Sequence, residues 1–205
     1  MALVDATVII PLRDQEKRVA SIVRTAAEVP KYVVPPDIDE SGEERPISFE
    51  LLALDERSGD NTLAVLSLLH SQLDNLRTLQ DIEPGSSIRR AASVARGRAW
   101  LLIDSLIDPR LAAWGLGQVF RGQRAAIVPG EILVVDRAVG ATVLGSRRGG
   151  LVSAQRAVAS FLRMQNTPPA WSPSNKRGAV ARARLFMRGQ AGRLGVGWLD
   201  RPSES

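Results

Sequence analysis

Apolar residues fall in two rhythms along this chain. Short continuous runs at 7–10, 47–54 and 100–103 have the length and apolar content of strands buried on both faces. Between them, Val19, Ile22, Val23 and Ala26 recur at helical spacing, as do Leu63, Val65, Leu66, Leu68 and Leu69, the second helix being capped by Asp60 or Asn61. Residues 76–82 read as a further short strand. Gly85-Ser86-Ser87 opens a helix over 88–95, and Pro109 opens another that runs to Phe120. Beyond it, 125–128, 132–135 and 142–144 read as short strands separated by glycines, and 151–164 as an amphipathic helix. Strands alternating with helices predict an α/β domain with a mostly parallel central sheet and helices on both faces, a three-layer sandwich.

Two stretches fit neither rhythm. Residues 30–46, with Pro35-Pro36 and the acids Asp37, Asp39, Glu40, Glu43 and Glu44, read as an exposed loop, and 166–174, with Pro168, Pro169 and Pro173, as a loop closed to regular structure. At the end of the chain, 179–187 reads as a basic helix and 194–199 as a glycine-broken strand.

The chemistry gathers where strands give way to helices. Asp55, Glu56, Ser58, Asp60 and Thr62 follow the second apolar run; Pro11, Asp14 and Glu16 follow the first; Asp104, Ser105 and Asp108 follow the third. In open α/β sheets, ligands lie beyond the carboxyl ends of the strands, so these acids would ring one crevice. Val8-Ile9-Ile10-Pro11 with Asp14 and Glu16 resembles the opening Val-Ile-Pro-x-Tyr-Asn-x-Glu motif of family-2 glycosyltransferases, and Asp55 to Thr62 is similar to their Val-Asp-Asp-x-Ser-x-Asp-x-Thr motif. Arg89-Arg90-Ala91, Ala95-x-Gly97 and the run into Asp104 resemble the segment that leads to the family's Asp-x-Asp motif. The finer likeness is to polyprenyl-phosphate sugar transferases, through Gly145-Ser146-Arg147, which is similar to a Gly-Ser-Arg that follows a strand there, or to glucosyl-3-phosphoglycerate synthases.

That resemblance implies a GT-A domain over 1–205, with a nucleotide-binding half to about residue 110 and an acceptor-side half after it. It implies an inverting transferase that moves a sugar from a nucleoside diphosphate to a hydroxyl of a small-molecule or lipid-linked acceptor. Pro11, Asp14, Glu16, Asp55, Ser58, Arg90, Asp104, Ser105, Arg147 and Arg148 would line the nucleotide-sugar site, and Glu131 would be the base. A Mg2+ or Mn2+ ion would sit on Asp104 and Asp108. The chain departs from the pattern here, because Asp104-Ser105-Leu106-Ile107-Asp108 lacks the second aspartate and an apolar Leu106 cannot ligate a hard cation. The alternative is a weakly active or inactive homologue that keeps the nucleotide pocket and acts as a binding partner. For Asp14, Asp55 and Asp60, helix capping is the plain structural explanation.

Composition narrows the picture further. The 205 residues, 44% hydrophobic and 24% charged, suit one core. With no cysteine, disulfide and thiolate chemistry are excluded. No apolar run reaches the roughly 20 residues that span a bilayer, and the first residues lack the features of a secretory leader, so the expected address is cytoplasmic. His70 falls late in a predicted helix and reads as a surface or packing residue. The net charge of +5 hides a division: 1–84 carries 16 acids and 8 bases, 85–205 carries 6 acids and 19 bases. The arginines of 177–193 suit peripheral contact with an anionic membrane or a solvated face, whereas aromatics at 4% are too few for nucleic-acid stacking to be expected.

Overall fold

A computed structural model describes residues 4–34 and 46–172 of the chain. The loop expected over 30–46 falls largely outside these, as do the basic helix over 179–187 and the strand over 194–199.

Among the described residues, seven strands form one sheet: β1 (Val4–Leu12), β2 (Phe49–Asp55), β3 (Leu76–Leu79), β4 (Gly97–Leu102), β5 (Ala125–Val128), β6 (Ile132–Asp136) and β7 (Ala170–Trp171). Their spatial order is β3-β2-β1-β4-β6-β5-β7. All run in one direction except β6, which lies antiparallel to β4 and β5. Among the described residues the helices are α1 (Val19–Glu28), α2 (Thr62–His70), α3 (Ser87–Val94), α4 (Pro109–Phe120), α5 (Arg137–Leu144) and α6 (Leu151–Met164), with a short 3-10 helix at Val29–Tyr32.

The pleat sorts the strand residues between two cores. Val8, Ile10, Leu12, Leu51, Ala53, Leu101, Ile103 and Val134 pack against α1, α2 and α4 on one face. Ile9, Leu52, Leu54, Trp100, Leu102, Leu133 and Val135 pack against α3, α5 and α6 on the other. Both faces of each central strand are therefore buried, which is why the apolar runs are continuous rather than alternating. The fold is the expected three-layer α/β sandwich.

At the amino ends of the parallel strands, one buried carboxylate ties four strands together. Glu50 accepts hydrogen bonds from Thr7 Oγ1 at 2.9 Å, the Arg96 backbone N–H at 3.2 Å and Arg77 Nη1 at 2.6 Å. Thr7 Oγ1 in turn accepts from the Gly97 N–H at 2.8 Å. Gly97 is required by this close approach, since a Cβ there would lie 2.3 Å from the Thr7 nitrogen.

Three local expectations need correction. Residues 142–144 are the last turn of α5, not a strand: Asp136 Oδ1 caps that helix by accepting from the Val139 N–H at 2.7 Å, and Gly140 gives the buried Trp100 ring its place. Gly145-Ser146-Arg147 accordingly follows a helix, unlike the motif it resembles. The other oxygen of Asp136 pairs with Arg124. The proline-rich stretch also holds a strand after all, because Ala170 and Trp171 lie just past Pro169 and pair with Ala126 and Ile127.

Candidate functional site

Parallel strands deliver their following loops to one edge of the sheet. The segments after β1 (13–18), β2 (56–61), β3 (80–86), β4 (103–108) and β5 (129–131) share that edge. The chain leaves β1 for β2 on one side, whereas β4 lies on the other, so the strand order reverses between β1 and β4, the place where open α/β sheets form a ligand crevice. Leu12 of β1 stands in register with Asp55 of β2 on one side, and Ile9 with Leu102 of β4 on the other. Pro11, Asp14, Glu16, Asp55, Ser58, Asp104 and Ser105 are thus brought to the ends of three adjacent strands.

The first two loops are latched to each other by six hydrogen bonds that involve side chains. Asp14, Gln15 and Glu16 donate their backbone N–H groups to Ser58 Oγ, Thr62 Oγ1 and Asp60 Oδ2, while Gly59 N donates to Asp14 Oδ1 and Asn61 donates through N and Nδ2 to Glu16. Asp14 is therefore not a helix cap; its carboxylate binds the opposite loop at 2.7 Å. Asp60 does cap α2, accepting from the Thr62 N–H at 3.0 Å, while Asn61 occupies the cap position without a capping side-chain bond. Burial raises the Asp60 pKa, but hydrogen bonds from the Thr62 hydroxyl and from the Glu16 and Thr62 backbones outweigh it and hold the carboxyl below its ordinary value.

Asp55 differs from its neighbours. It is 1% exposed; Oδ2 accepts from the Ser58 N–H at 3.2 Å, and Oδ1 is buried with no hydrogen-bond partner. Ser87, at the start of α3, has a hydroxyl in the same condition, while its N–H donates to Glu56 Oε1 at 3.2 Å. A buried polar atom without a partner costs about 1–3 kcal/mol, so each marks a place where a ligand group or a water belongs. Sequence reasoning missed Ser87, which had no motif to flag it.

Backbone strain collects on the same edge. Asp14, Arg57 and Asp81 have φ of 50, 53 and 55°, one left-handed residue after each of β1, β2 and β3. Arg57 and Asp81 are joined by an ion pair at 2.7 Å. Outside glycine such conformations cost on the order of 1–3 kcal/mol and cluster at functional loops.

The remaining predicted residues spread along the rim. Arg90 is exposed in the first turn of α3. Arg148 makes a two-pronged pair with Glu83 at 3.1 and 3.2 Å, and the Gly149 N–H donates to the Gly85 carbonyl at 2.8 Å, which sets Arg147 and Arg148 beside the loop after β3 rather than beside β4. Glu131 is exposed on the β5–β6 turn. Buried Gln155 of α6 pins that turn, accepting from the Gly130 N–H and donating to the Val128 and Ile132 carbonyls, each at 2.9 Å.

The donor set does not fit a divalent cation. Asp104 and Ser105 lie in the segment after β4, Leu106 is 57% exposed, and Asp108 spends Oδ1 on capping α4 through the Arg110 N–H at 2.9 Å. Among the described residues, no three carboxylates or imidazoles gather closely enough to hold a metal ion. Nor, among these residues, is any helix long and apolar enough to cross a membrane.

No family model and no curated protein sequence matches the chain. Solved structures do. The mannosyltransferase PcManGT from Pyrobaculum calidifontis, in complex with GDP-Man and Mn2+, superposes with a TM-score of 0.55 over 96% of this chain and 66% of that one, at 17% identity. TarS 1-349 from S. aureus, in complex with UDP, gives 0.50 over 76% of this chain and 54% of that one, at 14% identity. This chain spans about half to two thirds of the length of these two structures.

Proposed function

We propose that this chain, built on the GT-A glycosyltransferase fold, binds a nucleoside-diphosphate sugar along the edge where β2, β1 and β4 end and transfers the sugar to a hydroxyl acceptor. The observation that supports this reading most is the pairing of the latched β1 and β2 loops with the buried, unpartnered Oδ1 of Asp55 beside them. In this reading the nucleoside supplies the donor that Asp55 Oδ1 lacks. Asp14, Glu16 and Ser58 give the pocket its shape, Pro11 lines it, and Asp104 and Ser105 face the ribose and diphosphate. The fold's neighbours bind nucleotides of two kinds by their own descriptions, UDP in TarS and GDP-Man in PcManGT.

Transfer would invert the anomeric carbon: the acceptor oxygen attacks from the face opposite the departing diphosphate and gives its proton to a base. Glu131 is the acid on the acceptor side of the same edge, held on a turn that Gln155 fixes. The acceptor is a small molecule or a lipid-linked hydroxyl, and the basic stretch 177–193 would bring the enzyme to the inner face of an anionic membrane.

A second reading has its own observation. Leu106 stands exposed where a carboxylate would ligate, which favours a homologue that binds the nucleotide sugar with little turnover. A thermal-shift screen of uridine, guanosine and thymidine diphosphate sugars tests binding, with about 2.7 kcal/mol of stabilisation expected at a hundredfold excess over Kd. If none of them moves the melting temperature, both readings fail. Sugar release or transfer by the protein that binds then separates enzyme from binder.

A further inference from the structure

We propose that the crevice takes the diphosphate of its nucleotide without a divalent cation, the negative charge being met by the guanidinium of Arg13. This deepens the nucleotide-sugar reading and rests on it. The first ground is the donor set. A hard cation asks for about six oxygen ligands, commonly with more than one carboxylate among them. Here four of the acids around the crevice are committed elsewhere: Asp14 to the Gly59 N–H, Glu16 to Asn61, Asp60 to the Glu16 N–H and to Thr62, and Asp108 to the Arg110 N–H. Leu106 adds a hydrocarbon side chain, 57% exposed, between Asp104 and Asp108.

The second ground is a cation on the same edge of the sheet. Arg13 follows the last residue of β1, at the point where the strand order reverses, between the strand end that carries Asp55 and the one that carries Asp104. Its partner is the adjacent Asp14, at 3.8 Å, with the two side chains 57% and 54% exposed. An ion pair of that kind is worth about 0–1 kcal/mol, so the guanidinium is available at little cost. A guanidinium binds phosphate oxygens through two parallel N–H donors and needs no completed coordination shell. Arg147 and Arg148 are less suited: Arg148 is occupied by Glu83, and their loop hangs on the segment after β3. Relative to the motif it resembles, the chain has arginine where that motif has tyrosine and leucine where it has aspartate, while the carboxylate it gains at the asparagine place, Asp14, is engaged by the Gly59 N–H.

The test is isothermal titration calorimetry with UDP and with GDP, in EDTA and again in millimolar manganese, on the full chain and on Arg13→Ala, Arg13→Lys and Arg147→Ala. Circular dichroism melts confirm that each variant is folded. The expected result is an affinity in EDTA within about twofold of that in manganese, about a tenfold loss in Arg13→Ala, and partial recovery in Arg13→Lys. Binding that appears only with manganese overturns the proposal and leaves the nucleotide reading standing, whereas no binding under either condition overturns both. A loss in Arg147→Ala with none in Arg13→Ala overturns the assignment to Arg13.

Discussion

Replacing Glu50 by glutamine tests the far end of the sheet, where a single carboxylate holds β1, β2, β3 and β4 in register. Glutamine keeps the shape and one acceptor oxygen, enough for Thr7 Oγ1 and the Arg96 N–H. It also puts an amide N–H2 where Oε2 now receives Arg77 Nη1 at 2.6 Å and lies 3.5 Å from Arg96 Nε. Two donors then face two donors, and the charge is gone. Breaking a fully buried ion pair costs about 3–5 kcal/mol. Arg77 and Arg96 keep 28% and 37% of their side-chain surface, so water recovers part of the loss and the expected cost is about 2–3 kcal/mol. Against a total of roughly 5–15 kcal/mol this is a large share, read as a fall in melting temperature of about 4–12 °C. Urea denaturation with an unchanged m-value gives the number directly. Arg77→Gln, combined with Glu50→Gln in a double-mutant cycle, should cost at least about 0.5 kcal/mol less than the sum of the two singles. A Glu50→Gln protein within about 0.5 kcal/mol of the parent would refute the reasoning, because an exposed substitution costs that little.

Four further outcomes follow from the packing and hydrogen bonds described above. Gly140→Ala places a Cβ 2.4 Å from the Trp100 ring, and overpacking of that kind should cost about 1–3 kcal/mol in urea melts. Asp60 has its folded pKa below its unfolded value of 3.8; its stabilising contribution is present above that value and lost as pH falls through the folded pKa, so the stability gap between the parent and Asp60→Asn should be widest above about pH 4 and close in stronger acid. Gln155→Leu removes the acceptor of the Gly130 N–H and one donor from each of the Val128 and Ile132 carbonyls; hydrogen exchange over 128–132 should quicken at least tenfold, and unchanged protection would show that the amide is idle. Asp55→Ala should abolish the melting shift given by the tightest nucleotide of the screen while leaving the ligand-free melting temperature within about 4 °C; a retained shift would remove Asp55 from the site.

The strands were legible because burial on both faces leaves few polar positions to interrupt them, and the acids at their ends were legible because strand-to-helix turns need polar residues. Where the reading failed, the deciding contact was distant in sequence or chemically silent. Thr142 and Val143 favour strands on their own, but Asp136 caps the turn before them and Gly140 accommodates Trp100, so packing overrides propensity. Ala170 and Trp171 become a strand only because β5 offers an open edge. The aspartates assumed to be caps could not be told from cross-loop anchors, since Asp14 and Gly59 lie 45 positions apart. Ser87 and Gln155 carried no pattern at all, and only burial and hydrogen bonding bring them out.

The reciprocal fastening of residues 14–16 to residues 58–62 has a consequence for how such a protein can change over time. Each stretch supplies the other's missing donors and acceptors, so neither drifts alone without stranding a group on its counterpart. Substitutions in the two stretches should therefore have to be made together, whereas a new ligand preference should be more readily engineered at the β4 end, where Leu106 is exposed.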